Sequence, residues 1–147
     1  MNKTHVVIHH SATADSGTVS WNAIRRYHKS LGWRDIGYHL GIELITDGAG
    51  QSHYEALLGR PILDDGAHCY QWGMNKVGLG VVFVGDYDAA PPPEEMLLFA
   101  APHVKSIMDV FNIPANRHYV LGHREFAPKT CPGKHFDLDK FARMLRG

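Results

Sequence analysis

The sequence predicts an α/β fold, a single domain with a central mixed β-sheet flanked by helices. Two mostly apolar runs, HVVIHHS at residues 5–11 and GLGVVFVGDY at residues 78–87, are typical of buried strands. Segments whose apolar residues recur at helical spacing lie between and after these runs. Interleaved strands and helices favour one α/β domain, and a chain of 147 residues has the length of one domain.

The first strand is expected to carry His9 and His10 at its end, and a strand end is a common place for functional side chains. A helix follows, because apolar residues recur at helical spacing between Trp21 and Leu31. Candidate capping and stop residues flank this helix: Thr18 or Ser20 before it and Gly32 after it.

A hairpin is predicted around Asp47 and Gly48, a pair that stands between two alternating segments. Its strands are expected near residues 38–45 and 51–55. Tyr38 therefore falls at the start of a strand. The region from residue 59 to residue 78 is loop-like and leads into the second apolar run, which we expect in the interior of the sheet.

Two further helices are predicted in the C-terminal half of the chain. The first begins after PPPEE, and its buried stripe comprises Met96, Ala100, Val104, Ile107 and Phe111. Pro102 lies inside it, and an interior proline costs about 3 kcal/mol, so a kink or two shorter helices are expected. Asp137 can cap the second helix, whose inward residues are Leu138, Phe141, Ala142 and Leu145.

Composition and charge exclude several classes of protein. Fifteen basic residues balance fifteen acidic ones, so the chain lacks the positive charge typical of nucleic-acid binders. No run of about 18 apolar residues could span a bilayer, and the N-terminal segment has no apolar stretch of signal-peptide length. We expect no nucleic-acid partner, no transmembrane segment and no signal peptide. A disulfide between Cys69 and Cys131 is disfavoured in a reducing compartment.

His9, His123 and Cys131 are candidate metal ligands. A catalytic zinc usually has three protein ligands drawn from histidine, cysteine and carboxylate, with a fourth position open to water. Pro128 and Pro132 restrict the backbone around Cys131, which suits a fixed ligand. Spacing alone leaves an alternative open. The two histidines could be ordinary hydrogen-bonded residues, and Cys131 could be a small buried apolar residue.

Five blocks of sequence carry a family resemblance: VVIHHSAT, IGYHLGIELITDG, GAHC, NKVGLGVVFVGDY and LGHREFAPKTCPGKHFD. Their order and approximate spacing resemble those of the zinc-dependent N-acetylmuramoyl-L-alanine amidases. The likeness is to the phage-lysozyme (endolysin) type, which is related to the peptidoglycan recognition proteins. The blocks extend from about residue 5 to residue 138 and cover nearly the whole chain.

The resemblance implies roles for individual residues. One Zn²⁺ per chain is implied, with His9, His123 and Cys131 as its ligands. Tyr38 and Lys129 match the family's catalytic tyrosine and lysine, although as isolated residues they would be read as a packing aromatic and a solvated charge. His68 and Asn75 are expected to bind substrate. His10 and His39, like His68, are not expected as a fourth ligand, because four protein ligands would make the zinc structural.

The implied reaction is hydrolysis of the amide between N-acetylmuramic acid and L-alanine in bacterial peptidoglycan. Zinc would supply the activated water, and Tyr38 and Lys129 would stabilise the tetrahedral oxygen. We expect residues 1–147 to be one amidase catalytic domain without a separate wall-binding module. We expect a monomeric endolysin that stays in the host bacterial cytoplasm until it is released to the cell wall.

Three other interpretations remain at this point. A recognition protein of the same family would bind peptidoglycan without cutting it, and such proteins typically lack the cysteine ligand that Cys131 supplies here. A cytosolic recycling amidase would carry an aspartate in place of Cys131. A structural zinc protein would have four protein ligands and no turnover.

Overall fold

The computed structural model describes residues 2–12 and 20–147, and in these ranges it contains one five-stranded sheet. The strands are β1 (His5–His10), β2 (Leu40–Thr46), β3 (Ser52–Leu58), β4 (Gly78–Phe83) and β5 (Val120–Gly122). The helices are α1 (Trp21–Ser30), α2 (Met74–Val77), α3 (Glu94–Val110) and α4 (Leu138–Leu145). Short 3₁₀ turns lie at Gln71–Gly73 and His123–Glu125.

The sheet is mixed, as predicted. Its strand order is β3-β2-β4-β1-β5, so β4, the second apolar run, occupies the centre. β1 pairs in parallel with β4 and β5, β2 pairs in parallel with β4, and β2 and β3 form an antiparallel hairpin. The α/β fold with a central mixed sheet is therefore confirmed.

The two faces of the sheet have different roles. Val6 and Ile8 of β1 belong to the main core, together with buried residues of α3 and α4. Successive side chains of a strand point to opposite faces, so Val7 and His9 lie on the other face. There Val7 packs with Cys69 and Met74 in a small separate cluster. The face that carries His9 is thus opposite the face covered by α3 and α4.

Local signals in the sequence explain most element boundaries. Ser20 caps α1 by accepting a hydrogen bond from the backbone N–H of Ala23, while the alternative cap Thr18 lies outside the described residues. The hairpin strands lie close to their predicted ranges, although β2 begins at Leu40, two residues after Tyr38, and β3 continues three residues past its predicted end to Leu58. Asp137 caps α4 by accepting from the backbone N–H of Lys140.

Of the two outcomes expected at Pro102, the one with two shorter helices is wrong, because α3 is one helix of 17 residues, and a kink stays a prediction. A proline at position 102 removes the hydrogen bond that its N–H would donate to the carbonyl of Leu98. Both residues are exposed, so water can satisfy that carbonyl. The cost of the proline is thereby reduced at the solvent face, while Ala100, Ala101 and Val104 remain buried on the other.

Among residues 2–12 and 20–147, no helix is both long enough and apolar enough to cross a bilayer. Cys69 and Cys131 are both free thiols.

Candidate metal centre and active site

Parallel pairing of β1 and β5 brings two histidines together at one edge of the sheet. Ile8 pairs with Gly122, and the next residue along each chain segment is a histidine, His9 or His123. The carboxyl ends of parallel strands meet at the same edge of a sheet, a frequent location of functional sites. The two imidazole centroids are 4.8 Å apart, and both side chains are buried.

The loop that follows His123 returns Cys131 to these histidines, and Arg124 holds that loop. The backbone N–H of Arg124 donates to the carbonyl of Cys131 at 2.7 Å. Its guanidinium donates to the carbonyls of Gly133 at 2.7 Å and Phe136 at 3.1 Å. Arginine presents several donors in a rigid plane, which suits it to fix a loop by its carbonyls.

Asp88 fixes the same loop from the other side. Its carboxylate accepts hydrogen bonds from the Thr130 hydroxyl and the Lys134 backbone N–H, both at 2.9 Å. These two donations hold the pKa of Asp88 below its usual value, the backbone N–H being the larger cause. The roles of Asp88 and Arg124 in holding this loop were not predicted from the sequence. Asp88 could have been found because it follows β4, whose carboxyl end lies at the same sheet edge.

His9, His123 and Cys131 form a group that could bind a metal ion, with one candidate ligand atom from each lying within 4.8 Å of the others. The Sγ atom of Cys131 is 3.7 Å from Nδ1 of His9. A tetrahedral zinc with Zn–S of about 2.3 Å and Zn–N of about 2.0–2.1 Å would separate such atoms by about 3.6 Å. The donor set and this S–N distance therefore fit zinc.

Burial favours the neutral form of both histidines, which is the form that can bind a metal. It lowers the pKa of His9 well below the usual value, and the neighbouring His68 and His123 act in the same direction. It also lowers the pKa of His123 to about 4, with the positive charge of Lys129 as a second cause. A metal ligand must offer a free lone pair, so both rings are in the required protonation state near neutral pH.

The thiol of Cys131 needs a cation in order to ionise. Burial raises its pKa to about 11, although hydrogen bonding from His10 and the charge of Lys129 oppose this effect. The His10 backbone N–H donates to Sγ at 3.4 Å and would stabilise a thiolate. A metal ion would supply the missing charge, because a coordinating thiol is deprotonated.

Tyr38 and Lys129 share one cleft of about 390 Å³ with the three candidate ligands. The Tyr38 ring is 5.1 Å from the His9 ring, centroid to centroid. Burial, followed by the charge of Cys131, raises the pKa of the Tyr38 phenol well above its usual value, so it is a proton-bearing donor at neutral pH. Lys129 is exposed at the opening. The arrangement places a phenol and an ammonium beside the metal group.

His68 and Asn75 line an adjoining cleft of about 220 Å³, together with Trp33, His123 and Lys129. Asn75 holds the cleft wall, because its Oδ1 accepts from the backbone N–H groups of His68 at 2.6 Å and Cys69 at 2.8 Å. His68 is buried, with Nδ1 3.1 Å from Nε2 of His9. Substrate binding by these two residues stays a prediction.

His10 and His39 have other partners. Nδ1 of His10 accepts from the backbone N–H of Tyr87 at 3.1 Å. The His39 ring accepts from the Gly80 N–H at Nδ1, and its Nε2 contacts the Asp64 carbonyl, both at 2.9 Å. Within residues 2–12 and 20–147 the metal group has three members, so a tetrahedral ion there would keep one open position.

Comparison with known proteins identifies relatives of this chain. The profile of the N-acetylmuramoyl-L-alanine amidase family (Amidase_2) matches residues 1–134. The endolysin of Klebsiella phage KP32 is 31% identical over 139 residues, which span 94% of this chain and 84% of the endolysin.

Solved structures show the same fold. The N-acetylmuramoyl-L-alanine amidase LysC from Clostridium intestinale superposes with a TM-score of 0.79 at 23% identity, over 99% of this chain and 87% of LysC. A Drosophila PGRP-LB mutant in complex with tracheal cytotoxin superposes with a TM-score of 0.69 at 29% identity, over 92% of this chain and 78% of its own.

Proposed function

The chain belongs to the N-acetylmuramoyl-L-alanine amidase family, and we propose that it hydrolyses its amide substrate with one zinc ion held by His9, His123 and Cys131. The observation that carries the zinc assignment is the group of two imidazole nitrogens and one thiol, with its candidate ligand atoms within 4.8 Å of one another. Three such ligands suit a catalytic ion rather than a structural one, because a coordination position is left for water.

A zinc ion at this position would polarise the substrate carbonyl and lower the pKa of water from 15.7 toward about 7, which provides a nucleophile at neutral pH. The protein side chains supply the rest of the chemistry. Tyr38 keeps its phenolic proton and can donate it in a hydrogen bond to the tetrahedral oxygen. Lys129 adds a positive charge at the mouth of the same cleft.

The bond we assign is the amide between the lactyl group of N-acetylmuramic acid and L-alanine of the stem peptide in bacterial peptidoglycan. The family and the endolysin relatives support this assignment. We further propose that the chain acts as a monomeric phage endolysin, made in the host cytoplasm and released to the wall. His68 and Asn75, which line the adjoining cleft, are proposed to lie against bound substrate.

Digestion of purified peptidoglycan, followed by mass spectrometry of the products, tests the function directly. Free L-alanine amino termini without new reducing sugar ends are expected. Chelation should abolish them and added zinc should restore them. Protein that sediments with intact peptidoglycan and releases no amino termini would instead be a binding module, and activity unaffected by chelation would contradict the zinc assignment.

Zinc binding is expected to release about one proton per chain at pH 5.5–6.5. In this window the Cys131 thiol is protonated, since its pKa is about 11, whereas His123, with a pKa of about 4, and His9 are already neutral. Rising pH removes proton competition at the thiol, so zinc affinity should rise roughly tenfold per pH unit.

Titration calorimetry in buffers of different ionisation enthalpy measures the number of protons released. Cys69→Ser is the matched control, because Cys69 is outside the metal group and should leave the value near one. Release of no proton would mean that the thiol is not a ligand.

A further inference from the structure

The two ring nitrogens of His9 face different partners. Nδ1 is 3.7 Å from Sγ of Cys131, on the side of the metal group. Nε2 is 3.1 Å from Nδ1 of His68. Only one nitrogen of a neutral imidazole carries a proton, and the nitrogen that binds a metal must be the other one. The His68 contact therefore bears on which nitrogen of His9 can be a ligand.

The direction of these hydrogen bonds follows from a backbone carbonyl. Nε2 of His68 is 3.1 Å from the carbonyl oxygen of Gly78, which can only accept, so Nε2 of His68 carries a proton. A neutral imidazole carries one ring proton, and in His68 this proton is on Nε2, toward Gly78. Its Nδ1 is then a free acceptor, and the proton between the two rings belongs to Nε2 of His9. Nδ1 of His9 is left with its lone pair toward Cys131.

Two glycines form the slot that holds the His68 ring. A Cβ atom on Gly80 would lie 2.6 Å from the ring carbons Cγ and Cδ2 of His68, and one on Gly66 would lie 2.4 Å from Cδ2. Any larger residue would have to displace a planar ring that cannot bend away. The edge of the ring also meets His39 in a T-shaped contact with centroids 5.7 Å apart. The position of His68 is thus fixed by packing as well as by hydrogen bonds.

We propose that His68 is a positioning residue for the metal centre: it accepts the Nε2 proton of His9 and thereby fixes His9 as an Nδ1 ligand. Both nitrogens of His68 are committed, one to His9 and one to Gly78, so substrate can meet only its ring carbons. Partners of this kind orient a ligating histidine and set its tautomer. The inference rests on the proposed zinc centre, and the experiment below separates the two.

The first measurement uses the wild-type protein without metal. Long-range ¹H–¹⁵N correlation spectra of the histidine rings should show His9 protonated at Nε2, with a ¹⁵N–¹⁵N coupling across the hydrogen bond to Nδ1 of His68. A proton on Nδ1 of His9 in this form would overturn the proposal. If this result is as expected but the wild type binds no zinc, the zinc centre fails and the His9–His68 contact stands.

The second measurement is the zinc dissociation constant of variants, obtained by competition with a chromophoric chelator. His68→Leu fills the slot without an acceptor and should raise the constant about 10–100-fold. His68→Asn, whose amide oxygen can replace Nδ1 as acceptor, should recover most of the loss. Wild-type affinity in His68→Leu would overturn the proposal.

A glycine variant tests the slot while His68 itself is kept. Gly80→Ala should displace the ring and weaken zinc binding in the same way as His68→Leu. Gly48→Ala is the matched control, because no atom lies within 4 Å of a Cβ at that position. Equal zinc affinity in the two glycine variants would count against the proposal. Should His68→Leu fail to fold, the spectra of the wild type and the Gly80→Ala affinity decide the matter.

Discussion

Replacing Cys131 by serine is expected to abolish zinc binding and amidase activity together. Cys131 is the member of the group that would bring a negative charge to the ion, since its partners His9 and His123 are neutral rings. A serine hydroxyl is a far weaker acid than a thiol and does not take the place of a thiolate ligand. Zinc content should fall from about one per chain to near zero, and turnover to the level of chelator-treated wild type.

The measurements are zinc content after gel filtration and the rate of release of L-alanine amino termini from peptidoglycan. Circular dichroism should remain that of the wild type, because the fold does not depend on this side chain for its core. Cys69→Ser is again the control for metal binding, with its zinc content retained. A Cys131→Ser protein that held zinc but had no activity would make Cys131 a reacting group rather than a ligand.

The strand end that carries His9 was foreseeable from local signals, whereas β5, the strand that precedes His123, was not predicted. An apolar run that ends in histidines predicts a buried strand with side chains at its tip, and a serine or aspartate before a periodic segment predicts a cap. Each of these signals lies within a few residues of the feature it predicts. The sequence therefore located β1, β4 and the caps of α1 and α4 closely. It placed the start of β2 two residues too early.

The contacts that organise the site could not be predicted from such local signals. Asp88 holds the Cys131 loop across 42 residues of sequence at Thr130, and His9 meets His68 across 59 residues. Pairing over such distances is set by strand order and by which glycines leave room for a ring, not by local pattern. The tautomer of His9 likewise depends on a carbonyl in β4. Family resemblance supplied the proposed ligands, but not the network that orients them.

Lys129→Ala is expected to retain zinc and to lower turnover about 10²–10³-fold, the usual effect of losing one donor to a developing oxyanion. A thiolate ligand reduces the charge of a zinc site from two to one, so a nearby cation has more to add when the carbonyl oxygen becomes negative. Lys129 occupies the required place: it lines the cleft with Tyr38 and Cys131, and its charge lowers the pKa of His123. Because the stabilised charge exists only in the transition state, kcat and kcat/KM should fall equally.

Lys134→Ala, in the same loop but outside that cleft, should keep wild-type turnover. Loss of zinc from Lys129→Ala, or a raised KM with unchanged kcat, would assign Lys129 to metal retention or substrate binding instead.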